Sequence, residues 1–288
     1  MKVLIACEYS GRTRQAFAAL GHDVISADFE PAEDGSPYHY QGDCFDLIRD
    51  QEFDLMIAHP PCTYLAVSGL HWNTRGVMVD GRPRAELTED ALDFVRRLMN
   101  APIPRIALEN PVSCISSRIR KPNQIIQPWM FGEDASKATC LWLKGLPLMK
   151  PTNIIEGKLY CCGLELTADV SFSCPICHGT KKAKRIYGNQ TPSGQNKLGP
   201  SDDRWKERSR TYAGVAAAWA DQWGGESVSD GSGCSTGEKL REPAIRDLFG
   251  TDLVPGGMAG PDEARVTSNA LGQEPCAAVC ARSPAPLG

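Results

Sequence analysis

The sequence predicts an α/β protein built on a doubly wound, mostly parallel sheet. Two observations carry that expectation. Through the first half of the chain, short apolar runs rich in β-branched residues alternate with segments of helical spacing. The length of 288 residues, 42% hydrophobic and 23% charged, fits one α/β domain with additions and an average globular composition.

Lys2–Ala6 (KVLIA) is the first expected strand. Residues 11–20 place Ala16, Phe17, Ala19 and Leu20 at helical spacing, with Gly21 as the C-cap. Residues 23–27 (DVISA) form a second strand ending at Asp28, and 53–58 (FDLMIA) another, halted by His59-Pro60-Pro61. A helix is expected over 88–99, capped by Thr88, with Leu92, Val95, Leu98 and Met99 as its apolar stripe. Residues 105–108 (RIAL) are the next strand, halted by Glu109-Asn110-Pro111. Residues 125–147 hold a β pair, with 139–143 the surer strand, and 210–223 form an Ala-rich closing helix that packs Val215, Trp219 and Trp223. In sheets of this kind ligands bind beyond the carboxyl ends of the strands, here at Asp28, Cys62 and Glu109.

A net charge of −4 and a pI near 5.8 exclude a uniformly basic coat for nucleic acid, though not a local basic face. No run approaches the ~18 consecutive apolar residues of a membrane span. The opening MKVLIACEYSGR is too short for a signal-peptide core, so a cytoplasmic chain is expected, without membrane contact and monomeric. Twelve cysteines in a reducing compartment point to metal ligands, catalytic groups or core filler before disulfides.

His59-Pro60-Pro61-Cys62 follows directly on a buried strand. Two prolines fix the backbone and hold the cysteine at the sheet edge, where a stabilised thiolate works as a nucleophile. The competing reading is a turn whose thiol merely packs. Glu109, ending the next strand, can share a cleft with Cys62. A thiol beside an acid suits attack on an electron-poor ring whose nitrogen takes a proton as charge develops.

With these residues the chain resembles the DNA cytosine-C5 methyltransferases. Pro60-Pro61-Cys62, followed by Ser68-Gly69, resembles that family's Pro-Pro-Cys loop, and Glu109-Asn110 its Glu-Asn-Val motif, with Pro111 in place of Val. The layout is more closely similar to small phage- and prophage-encoded predicted DNA methylases. Shared with them are the Cys7-Glu8-Tyr9-Ser10-Gly11-Arg12 opening, the Gln127-Pro128-Trp129-x-Phe131-Gly132 stretch and the Arg210-Thr211-Tyr212-x-Gly214-x-Ala216 helix. The resemblance covers roughly residues 1–150 and resumes weakly over 208–223.

It implies a methyltransferase-like α/β core using S-adenosylmethionine on DNA. Cys62 would add to C6 of cytosine, with Glu109 hydrogen-bonded at N3, so that C5 becomes nucleophilic. The target base would be flipped out of the duplex or already unpaired. Cofactor contacts would come from Glu8, Tyr9, Ser10, Gly11 and Pro60, with Asp28 on the ribose hydroxyls and Asp43 at the adenine amine. The first turn has one glycine, Gly11, where the family has two or more, and the family's Gln-x-Arg-x-Arg motif is not present. Lys137, before a strand, sits in a comparable place.

Cys174-Pro175-Ile176-Cys177-His178-Gly179 is a zinc-knuckle signal, and Cys161-Cys162-Gly163 its irregular partner. Four thiolates (161, 162, 174, 177) is the favoured ligand set for a structural zinc. One of the paired cysteines with His178, or metal-free redox-active thiols, are the alternatives. From 181 to 210, nine Lys/Arg stand against three acids, +6 in thirty residues. DNA contacts are expected from Lys137, Lys181, Lys182, Arg185, Arg204 and Arg208. From 226 onward Gly, Pro and Ser supply 21 of 63 residues and Leu, Ile, Val and Phe only 11, too few to offset chain entropy.

The expected organisation is a catalytic core over 1–155, a zinc-ribbon and basic recognition insertion over 156–207, a closing helix over 208–225 and a flexible tail over 226–288. The expected function is DNA (cytosine-5)-methyltransferase. A related pyrimidine-C5 enzyme with another transferred group or an RNA or nucleotide substrate, and a non-catalytic zinc-containing nucleic-acid-binding protein, are the alternatives.

Overall fold

A computed structural model describes residues 1–166, 174–178, 180–201 and 203–225; the tail expected at 226–288 lies outside the described residues. The chain runs through β1 (Lys2–Ala6), α1 (Arg12–Ala19), β2 (Asp23–Asp28), β3 (His39–Gln41), α2 (Cys44–Asp50) and β4 (Leu55–Ala58). It continues through α3 (His71–Thr74), β5 (Met78–Val79), β6 (Arg82–Pro83), α4 (Arg84–Met99), β7 (Arg105–Pro111), α5 (Ile115–Arg118) and β8 (Gln124–Ile126). Then come β9 (Thr139–Lys144), β10 (Lys158–Cys161), β11 (Leu164–Leu166), β12 (Lys184–Ile186), α6 (Arg204–Ser209) and α7 (Ala213–Gly224).

Seven strands make one sheet in the order β3-β2-β1-β4-β7-β9-β8. The pairs from β3 to β7 are parallel, and β9 runs antiparallel to both β7 and β8. The expected mostly parallel α/β sheet is therefore present, and its winding reverses beside β1, the place where doubly wound sheets form a crevice. Alternate residues feed two apolar layers, as both faces of a covered sheet require. Leu4, Met56 and Leu108 join Leu92, Val95 and Leu98 of α4, while Val3, Ile5 and Ile57 join Phe17 of α1 and Val215, Trp219 and Trp223 of α7. Gly21 ends the first helix as expected, at φ +80 with its amide on Ala18 O.

Three expectations are corrected. The helix expected from Thr88 begins four residues earlier at Arg84; Thr88 is interior, its hydroxyl donating to Tyr64 O at 3.0 Å and accepting from Asn73 Nδ2 at 2.9 Å. Glu109-Asn110-Pro111 does not halt its strand, because β9 pairs antiparallel with all three. The closing helix starts at Ala213 rather than 210. The expected β pair in the middle of the chain is β8 with β9. No helix among the described residues is long and apolar enough to cross a membrane.

Candidate active site

β4 ends at Ala58, and the prolines that follow carry no N–H to continue the ladder. The chain is instead tied at each step to its neighbours. His59 N–H donates to Ala6 O at 2.9 Å, and Asn110 Nδ2 donates to Pro60 O at 2.8 Å. Leu65 and Ala66 both donate to Cys62 O, so Cys62 opens a tight turn. That turn is stitched to the end of β7 by Val67 N–H on Val112 O (3.2 Å) and Cys114 N–H on Leu65 O (2.9 Å). Arg84 grips it from the other side, donating to Thr63 O at 2.7 Å and Asn73 Oδ1 at 2.6 Å. Cys62, half-buried, is thereby fixed against the strand that carries Glu109.

Glu109 is nearly enclosed, with its side chain 12% exposed and that of its neighbour His59 8%. His59 Nδ1 lies 3.4 Å from Glu109 Oε1, and His59 Nε2 is buried with no partner among the described residues. Glu109 also lines a small hollow with Lys137, Thr139, Thr211, Tyr212 and Trp219. Burial works to raise its pKa, but the hydrogen bond with His59 and the charges of Lys137 and His59 outweigh it and hold the carboxyl below its usual range. Burial, then the Glu109 charge, push the Cys62 thiol up, against the opposing charges of Lys137 and Arg208. Cys62, Glu109, Lys137 and Arg208 therefore share one electrostatic neighbourhood. Lys137 is anchored there by its Nζ on Arg208 O at 3.0 Å.

A second hollow, open to solvent, lies at the carboxyl ends of β1, β2 and β4. Ala27, Asp28, Phe29, Asp43, Pro61 and Phe94 are among its lining residues. Burial pushes the Asp28 carboxyl up, opposed by its bond from Glu30 N–H and the charge of His39. A desolvated carboxylate facing a hollow walled by aromatic rings fits a nucleoside, whose hydroxyls would donate to it. Asp43 caps α2, accepting from Phe45 N–H at 3.0 Å.

The other residues expected at the cofactor stand around the start of α1 and the turn after β4. Glu8 caps α1: its carboxylate accepts from Thr13 N–H at 2.7 Å, Arg14 N–H at 3.2 Å and Ser10 Oγ at 3.3 Å. Tyr9 packs on Trp205, its hydroxyl 3.3 Å from Ser209 Oγ, and Gly11 stands at the N-cap of α1. Pro60 gives its carbonyl to Asn110, and the neighbouring Pro61 lines the hollow.

In the insertion, β10 pairs antiparallel with β11 and β12. One sulfur each from Cys161, Cys162, Cys174 and Cys177 lies within 4.8 Å of the others, a grouping that could hold a metal ion. His178 is not in that group. Of the expected DNA contacts, Lys181, Lys182 and Arg208 are exposed, while Arg185 pairs with Glu156 at 2.9 Å. Arg210, counted in the basic segment, is tied to Glu33 and Glu207, and Lys206 to Asp203.

Three positioning residues were not singled out by sequence reasoning: His59, Asn110 and Arg84. The first two stood inside the quoted motifs, so their spacing beside Cys62 and Glu109 was the available signal. Arg84 had none, because its partners are backbone and loop atoms far away in sequence.

No family model and no curated protein matches the chain. Among solved structures, it is similar to a protein described as a DNA modification methyltransferase encoded within a prophage of E. coli, at 16% identity and a TM-score of 0.36, over 54% of this chain and 52% of that one. It is also similar to a triple mutant of Spodoptera frugiperda DNMT2, at 17% identity and a TM-score of 0.32, over 54% of each chain. The chain thus spans about half the length of the solved structures it matches.

Proposed function

We propose that the chain is an S-adenosylmethionine-dependent DNA (cytosine-5)-methyltransferase working through a Cys62 adduct. The observation that carries this reading is the fixing of the Cys62 turn, which follows β4, against the end of the adjacent parallel strand β7 that carries Glu109, by the Val67–Val112 and Cys114–Leu65 backbone bonds. Cofactor, when bound, supplies an electrophilic methyl group. Asp28 would accept from ribose hydroxyls in the hollow beside β1, with Asp43 near the base.

Cys62 Sγ forms a bond to C6, and the C5=C6 electron pair moves through C4 toward N3, which takes a proton. Glu109 holds that proton at N3. Because His59, 3.4 Å away, and Lys137 hold the carboxyl below its usual range, that proton would arrive with the addition step. Lys137 offsets charge on the thiolate and carboxylate alike. C5, made nucleophilic by the addition, would take the methyl group. Loss of the C5 proton to solvent then supplies the electron pair that expels the Cys62 thiolate and re-forms C5=C6, and N3 gives its added proton back by way of Glu109.

DNA would be positioned by Lys181, Lys182, Arg204 and Arg208, with Arg185 available once released from Glu156. The four-cysteine cluster belongs to the reading as a structural zinc site that keeps this basic insertion folded.

Incubation with a random-sequence DNA library containing 5-fluorocytosine, plus cofactor, tests the reading. A covalent protein–DNA species that is absent in Cys62→Ala is expected. Failure of the wild-type protein to trap any member of the library overturns it. Mass spectrometry of the nucleosides made from ordinary DNA identifies the transferred group.

A further inference from the structure

The insertion has almost nothing apolar to hold it together. Its buried side chains among the described residues are Cys161, Cys174, Ile186 and Tyr187, with Gly157 the one other buried residue. Its strands are four, three and three residues long. Segments of this size stay folded by binding a metal. Cys161 Sγ lies 3.5 Å from Cys177 Sγ and 4.0 Å from Cys162 Sγ, within the four-sulfur group. Four soft thiolates suit a tetrahedral Zn²⁺. Binding exchanges up to four thiol protons, released to solvent, for one divalent ion, leaving the site negative; Lys181, Lys182 and Lys184 stand beside it in the chain.

From this cluster β12 leads to Tyr187, Gly188 and Asn189, and each of these grips the catalytic core. Tyr187 stacks on Trp129, with ring centroids 5.8 Å apart and planes at 9°. Gly188 N–H donates to Asp134 Oδ1 at 2.8 Å, an approach so close that a Cβ on Gly188 would sit 2.6 Å from Asp134 Oδ2. The Asn189 side-chain amide clasps the backbone of Ser136 twice: Oδ1 accepts from Ser136 N–H at 2.9 Å, and Nδ2 donates to Ser136 O at 3.0 Å. The next residue is Lys137, whose own N–H is held by Gln127 Oε1 at 2.9 Å and whose side chain reaches the Glu109 hollow.

We propose that the four cysteines bind one Zn²⁺ and that this ion, by fixing β12, sets the position of Lys137 in the cleft through the Asn189–Ser136 clasp. The metal site is in this way a support for the cleft's cation as well as for the insertion. The proposal stands on these contacts and does not rest on the methyltransferase reading.

Metal analysis and hydrogen–deuterium exchange on the full chain test it. One zinc per chain is expected, and replacement by Co²⁺ gives the thiolate-to-metal absorption of a tetrahedral sulfur site. Removing the zinc with a chelator is expected to raise amide exchange in peptides covering 133–138 about tenfold, while β1 and β4 stay protected. Asn189→Ala keeps the zinc and loses the same protection, which separates the clasp from collapse of the insertion. Absence of zinc, iron or a disulfide in its place, or exchange at 133–138 that ignores zinc removal, overturns the proposal. None of these readouts uses enzyme activity.

Discussion

Around the cleft, the Cys62 turn follows a strand that is wholly enclosed: all of β4 is 0% exposed, as are Val3, Leu4, Ile5 and Ala6 of the neighbouring β1. The insertion reaches order with three short strands and a group of sulfurs. Burial holds the first region, and a few directional bonds hold the second. A precise cleft needs rigidity that comes cheaply from apolar area, at roughly 25 cal/mol per Å² buried. A basic, solvent-facing surface cannot use that source without losing its charge to the interior. The two regions solve the same problem under opposite constraints.

The largest effect is expected from attacking the buried side. Trp219 is 1% exposed and packs beside His59 and Trp223, so Trp219→Ala should cost about 3–5 kcal/mol in urea unfolding. A cost under about 1 kcal/mol would mean that α7 is not part of the same cooperative core.

Asn110→Ala comes next. It leaves Pro60 O without its donor and should destabilise by about 1–3 kcal/mol. Under the proposed chemistry it also slows adduct formation while leaving DNA affinity unchanged, a split that a purely structural residue would not give.

Glu109→Gln probes the electrostatics with a smaller change. Because the Glu109 charge raises the Cys62 thiol, its removal should speed alkylation of Cys62 near pH 8 about three- to tenfold. Lys137→Ala should act in the opposite sense, since that charge lowers the thiol. In the wild type, alkylation should climb with pH through a range above that of an exposed thiol. Mass spectrometry of the labelled Cys62 peptide checks all three.

The smallest effect compares the regions directly. With the four cysteines holding zinc as proposed, Cys174→Ser should weaken metal binding sharply yet change the unfolding free energy of the sheet by less than about 1 kcal/mol. A larger shift would show that the two regions fold as one unit.

Periodicity made the sheet legible, because buried parallel strands are written as apolar runs and their helices as stripes. Cys62 and Glu109 were legible for the same reason, each standing where a run stops. What periodicity could not show was how far β7 continues. Glu109-Asn110-Pro111 looks like a turn, and it is kept extended by β9, whose pairing partners lie some thirty residues on. Thr88 misled similarly. A threonine before an apolar stripe reads as a cap, yet here it is buried because its hydroxyl serves Tyr64 O across the loop. Glu8 and Tyr9 were read for a ligand, and spacing gave no sign that their side chains also meet α1 and α6. Local spacing carries elements; partners distant in sequence decide their ends and the use of their polar groups.

At the carboxyl edge of this sheet, the N-termini of α1 and α2 are already occupied. Glu8 sits on the first turn of α1 and Asp43 on that of α2. Doubly wound sheets that carry dinucleotides leave such a pole open for pyrophosphate. Here carboxylates stand at both of these poles, where a phosphate would look for amides. Under the proposed function, that charge disfavours di- and triphosphates in the hollow beside Asp28 and favours an adenosine-like molecule that is neutral or positively charged.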